Sequence, residues 1–151
     1  MGKRKTDCTK LLFCLLHLLT EETKRKTSYL KENNVMDGVL HSMLKRGLLP
    51  DWFKRYFYGY NPLYGVLNGL TDLFINAMTL DLIRYDFSVF SARIIINLNY
   101  DLCNRFLSEL EVGHDQVKEL VHILEEELLR GEAEHRERMS QSPVHAYGHY
   151  L

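Results

Sequence analysis

Scarcity defines this chain first. Three prolines and nine glycines in 151 residues exclude a collagen-like or low-complexity chain and leave long stretches free to form helix. The three cysteines, Cys8, Cys14 and Cys103, are odd in number and have no metal-ligand spacing. They read as reduced, buried thiols of an intracellular protein, not as a disulfide framework. A net charge of −1 gives the molecule no field with which to seek nucleic acid, and no basic face interleaved with aromatics appears apart from Lys54-Arg55-Tyr56. No apolar run approaches the ~20 residues that span a bilayer. Leu11 to Leu19 is nine residues long and contains His17. As a signal peptide it fails, because Thr20-Glu21-Glu22-Thr23-Lys24 offers no small-residue cleavage site.

Catalytic signatures are equally scarce. There is no nucleophile elbow and no phosphate-cradling glycine loop, Asp72 and Asp81 fall on different helix faces, and Glu125-Glu126-Glu127 reads as a solvated run. The seven histidines include no i, i+4 pair with a neighbouring carboxylate on a firm helix, since Pro143 and Gly148 flank His145 and His149. The expectation is a cytoplasmic binding protein, not an enzyme, with no cofactor and no metal.

What is present is apolar and helical in period. At 46% apolar residues the chain is large enough to bury a core in a single domain. The pattern predicts a basic arm over 1–8, a helical bundle over 9–131 and a polar, flexible tail over 132–151. Helix one runs from Thr9 to about Thr20, apolar on nearly all sides. A second helix follows Asn34 as N-cap, with Val35, Met36, Val39, Leu40, Met43 and Leu44 on one face, and stops at Gly47 or Pro50. Trp52, Phe53, Tyr56, Phe57 and Tyr58 crowd a short third segment.

Gly59-Tyr60-Asn61-Pro62 marks a turn, with Pro62 at the first position of helix four, whose stripe is Leu63, Val66, Leu67, Leu70, Phe74, Ala77 and Met78. Helix five is expected from Ser88 to Leu107, apolar all round and therefore central to the bundle. After Gly113-His114, Asp115 caps a surface-lying helix six with Val117, Leu120, Val121, Leu124 and Leu128 inward. Charge is divided along the chain: eight bases face three acids over 1–31, and ten acids face four bases over 109–138. A solvated basic arm is the simple meaning. The sharper one is peripheral contact with anionic lipid, which acylation at Gly2 or Cys8 would strengthen.

The segment from Asp86 to Cys103, DFSVFSARIIINLNYDLC, carries a single base, Arg93, ahead of Ile94-Ile95-Ile96. It resembles the first homology motif of the Bcl-2 family of apoptosis regulators, in which an Asp, a Trp-Gly-Arg turn and an apolar run open the central helix. Phe90-Ser91-Ala92-Arg93 occupies the turn, and the likeness is nearer to divergent viral members of the family. The resemblance implies an all-α, single-domain bundle of six or seven helices around a central apolar helix.

It also implies a hydrophobic groove that binds amphipathic helices of pro-apoptotic proteins and so restrains cell death, with recruitment to mitochondria or other intracellular membranes. Arg93 would hold the acid of the incoming helix bidentately. Met43, Leu44, Phe53, Phe57, Val66, Leu70, Phe74, Val89, Phe90 and Ile94 would line the groove, and core packing is the plainer role for each of them. The other reading is a helical adaptor, or a dimer, that modulates host innate signalling through an outer face.

Overall fold

The computed structural model describes residues 2–23, 29–30, 35–87 and 92–141. Its centre is α1 (Gly2–Thr23). From Leu11 to Leu16 every side chain is at most 2% exposed, and Leu19 is 1% exposed. The reason lies in composition: leucine and phenylalanine favour the helix while carrying enough apolar area to need a wrapper on every side. That wrapper comes from later elements. Helices α3 (Asp51–Lys54), α4 (Leu70–Thr79), α5 (Tyr100–Glu109) and α6 (His114–Gln141) pack on α1, as does strand β5 (Ala92–Ile96). The basic residues near the N-terminus therefore ride on α1 itself and form no separate arm.

Helix α2 (Val35–Lys45) starts and stops where the sequence indicates. Gly47, at φ 68°, closes it: the Leu48 N–H donates to the Met43 carbonyl at 3.2 Å and the Gly47 N–H to that of Leu44 at 3.1 Å. This is a Schellman stop, which needs the left-handed conformation that glycine adopts freely. Helix α2 packs on α6, and the Arg46 guanidinium reaches Glu127 at 3.1 Å.

The largest correction concerns helix five. Residues 92–96 form strand β5, which pairs antiparallel with β1 (Tyr29–Leu30) on one side and β4 (Ile83–Phe87) on the other. Consecutive isoleucines are stiff at χ1 and suit a pleated, half-buried surface better than a helix. Their burial alternates accordingly: Ile94 and Ile96 point into the core and Ile95, opposite Arg84, is half-buried. The helix begins only at Tyr100, where the Asn99 side chain accepts the Leu102 N–H at 3.1 Å as an N-cap. The central helix is thus α1, and the chain is a mostly helical domain with, among the described residues, two small sheets, not an all-α bundle around residues 88–107.

Helix four is also shorter than expected. β2 (Tyr60–Asn61) and β3 (Val66–Leu67) form a hairpin in place of its first two turns. The Asn61 carboxamide oxygen accepts the N–H groups of Leu63 at 3.0 Å and Tyr64 at 3.3 Å, and so shapes the loop. Gly69 stands before α4 at φ 104°, and a Cβ there would lie 3.1 Å from the Tyr56 ring. The hairpin is tied down by Asp37 of α2, 7% exposed, whose carboxylate accepts the Leu67 N–H at 2.9 Å. In the opposite direction, α6 outruns its expected end. The Glu, Ala and Arg of 132–138 continue it to Gln141, so the flexible tail expected over 132–151 is helical as far as 141; residues 142–151 lie outside the described ones.

Candidate interaction site

The residues expected to line a groove fall mostly inside the core. Met43 and Leu44 on α2, Phe53 on α3, Leu70 and Phe74 on α4 and Ile94 on β5 are all buried in one cluster. Phe53 meets Phe57 edge-on at 5.1 Å, Phe57 packs half-buried against that cluster, and Val66 of β3 is half-buried. Area of this kind holds the molecule together; it is not open to a partner. The backbone of Arg93 stands opposite Asp86 on β4 and Leu30 on β1. Val89 and Phe90 lie outside the described residues.

Exposed apolar side chains stand elsewhere, at Tyr58, Ile75, Leu80 and Leu98 among others, and two of them meet at a cleft. Leu63 and Tyr64, at the tip of the β2–β3 hairpin, are 80% and 68% exposed. They rim a cleft of about 560 Å³ between α2, the hairpin and the second half of α6. Val35 and Val39 supply its apolar floor, and Tyr60 and Arg130 stand in its walls. The geometry is braced from both sides. His41 of α2 stacks flat on the Tyr60 ring at a centroid separation of 4.0 Å, while Glu127 takes both Arg46 and Arg130. Desolvation and then Lys45 hold the His41 imidazole below its ordinary pKa, so near neutral pH it stacks uncharged. Gly131 permits the close packing of α6 on α2 beneath the cleft, because a Cβ there would meet Val35 at 3.0 Å.

The helical period of the sequence puts Leu63 on a buried stripe and gives Tyr64 no role. The signal that separates them from that stripe is the turn chemistry around them, an Asn-Pro pair followed at Gly65 by a positive φ of 66°. Among the described residues no group of three or more His, Cys, Asp or Glu could hold a metal ion, and no helix is long and apolar enough to cross a membrane. Comparison with family models, with curated proteins and with solved structures gives no match.

Proposed function

We propose that this chain is a non-enzymatic interaction protein that takes an amphipathic helix of a partner protein in the cleft between α2, the β2–β3 hairpin and α6. The observation that carries the reading is the exposure of two large side chains, Leu63 and Tyr64, at the rim of an open cleft, whereas Met43, Leu44, Phe53, Leu70, Phe74 and Ile94, expected as groove anchors, are buried. Solvent-exposed apolar side chains grouped at a cleft mark recognition sites more often than isolated ones do. Val35 and Val39 would receive apolar anchors at helical spacing, and the charged side of α6 would meet the polar flank of the incoming helix. This keeps the amphipathic-helix partner of the Bcl-2-like reading and moves its site to the outer face of α2 and α6.

The Bcl-2-like resemblance supplies the first partner class, amphipathic helices from pro-apoptotic proteins, and restraint of cell death as the consequence. Titration of the purified protein with fluorescent peptides of that class tests both levels. Binding that falls at least about tenfold in a Leu63→Asp, Tyr64→Ala variant, the size expected for anchor residues, and is unchanged in Arg93→Glu, supports the cleft. Binding abolished by Arg93→Glu alone, with helicity retained, would move the site to the sheet around β5. No binding of any such peptide would leave the outer face to partners of host innate signalling, for which affinity capture on the wild type and the double variant is the discriminating comparison.

A further inference from the structure

A second cavity, about 360 Å³ in volume, lies on the far side of the core where α1, α5 and the start of α6 meet. Its lining includes His17, Glu21, Tyr100, Cys103 and His114. His17 is 0% exposed and is held by three neighbours: Phe13 and Tyr100 stand edge-on to it at 5.4 and 5.3 Å, and its Nε2 accepts the Asn99 N–H at 2.9 Å. Since Nε2 accepts, the ring proton of the neutral imidazole sits on Nδ1. That nitrogen has no hydrogen-bond partner, and the nearest carboxylate oxygen, from Glu21, is 4.0 Å away. An orphaned, fully buried donor in the wall of a cavity is costly unless something small and polar visits it.

One thiol, that of Cys103, completes the wall. Cys103 lies in the first turn of α5, where the unpaired N–H groups of the helix favour negative charge. Cys14 of α1, outside that wall, approaches Cys103 closely: its Sγ–H donates to the Cys103 carbonyl oxygen at 3.6 Å.

We propose that Cys103 and Cys14 are a peroxide-reactive dithiol, reached through this cavity and closing to a reversible disulfide between α1 and α5. The Cys103 thiolate attacks one oxygen of hydrogen peroxide. The O–O bond breaks, hydroxide leaves and is protonated to water, and Cys103 becomes a sulfenic acid. Cys14 then gives up its proton and attacks the Cys103 sulfur. The S–S bond forms, the S–O bond breaks and a second water departs, so that two thiols are oxidised while peroxide is reduced to two waters.

The division of labour follows from the surroundings. Hydrogen bonding to Cys103, and then burial, hold the Cys14 thiol protonated. The bond from Cys14, followed by the His17 imidazole, draws Cys103 below the ordinary thiol value against the opposing effect of its own burial. His114 adds to that pull, and Glu21, Glu22, Tyr100 and Lys118 are the other ionisable groups of the cavity wall. His17 is a positioning residue, its imidazole set beside Cys103 in the same cavity wall. Cys8 is the internal contrast. It is buried at the other end of α1, where its Sγ faces the Trp52 carbonyl at 4.0 Å, and burial first, then Asp7, push its pKa up to about 12.

The full chain is exposed to hydrogen peroxide, quenched, alkylated under denaturing conditions and mapped by mass spectrometry. The expected result is loss of two of the three free thiols, a linked pair of peptides containing Cys14 and Cys103, and Cys8 still alkylated. In Cys14→Ser the sulfenic acid on Cys103 should persist and be trapped by dimedone; in Cys103→Ser no disulfide should form. His17→Gln should slow dimedone labelling by about tenfold near neutral pH and move its pH profile upwards, because the thiolate fraction falls. A wild-type protein that keeps three free thiols under peroxide that oxidises a small-molecule thiol, or labelling centred on Cys8, would overturn the proposal. The wild-type map decides this even if a variant fails to fold.

Discussion

Two apolar runs of this chain read alike in hydropathy and fold differently. Leu11 to Leu19 is helix buried on every side, whereas the Ala92–Ile96 run is a strand inside a three-stranded sheet, followed by a separate helix from Tyr100. The difference is stereochemical. Leucine, branched at Cγ, loses little rotamer freedom in a helix, while Ile94-Ile95-Ile96 places three β-branched residues in succession, and these pay at χ1 in a helix and gain on a pleated face. Hydropathy settles that both runs are buried; branching settles their period.

The sharpest test of the first run is Leu15→Ala. Leu15 is 0% exposed among α1 side chains that later helices wrap, so truncation leaves a cavity with little freedom to collapse. The expected cost is about 3–5 kcal/mol, read by urea or thermal unfolding. A loss under about 1 kcal/mol would mean that α1 is not the centre of the core.

The strand is tested by contrast between neighbours. Ile94 is 0% exposed and Ile95 half-buried on the opposite face, so Ile94→Ala should cost about 2–4 kcal/mol and Ile95→Thr under about 1 kcal/mol. In a helix buried all round, as the sequence first suggests, both substitutions would be costly. Equal losses would break the assignment of β5.

Much of the fold is legible in the residues, and the exceptions have physical causes. Val35 to Lys45 reads correctly because its apolar spacing ends at Gly47, where a glycine at positive φ supplies a local stop. The run from Ser88 to Leu107 misleads because apolar content on all faces hides the period, and the pairing of Ile83 with Ile96 across the hairpin is a tertiary decision that no local window contains. The stripe from Leu63 to Met78 misleads differently. Offsets of three and four persist through Leu63 and Val66, yet Asn61 and Gly65 carry turn chemistry that overrides them. At the cleft, Val35 and Val39 were readable as one face of a helix, but the exposure of Leu63 and Tyr64 depends on that hairpin. The cavity at His17 was legible least of all, because Cys14, His17 and Cys103 meet only when α1 and α5 pack.

A smaller effect marks the boundary between strand and helix. Asn99 caps α5 through its side chain while its N–H donates to His17 of α1, so it fixes where β5 ends and α5 begins. Asn99→Ala removes the cap but keeps the backbone donor, and should cost about 1 kcal/mol with the loss concentrated in hydrogen-exchange protection of the first turn of α5. Uniform loss across β4 and β5 would show that the sheet, not the cap, sets the boundary.

The smallest expected effect separates the two runs by pH. Tyr85 lies on β4 opposite Ile94, and burial raises its phenol pKa above the ordinary value, whereas the α1 run has no tyrosine. A group whose folded pKa is raised keeps its contribution below the unfolded pKa and loses it as pH rises through the folded one. From about pH 10 upwards, therefore, the unfolded chain releases this proton before the folded chain does, and stability drains from the sheet. The Tyr85→Phe variant should lose less stability than wild type between about pH 9 and about pH 11, with the difference vanishing at neutral pH once each protein is referred to its own midpoint. Because deprotonation of lysines acts on both proteins alike, the comparison isolates Tyr85. Parallel alkaline curves would show that the phenol reaches water in the folded state, and that the sheet face opposite Ile94 is looser than the α1 core it covers.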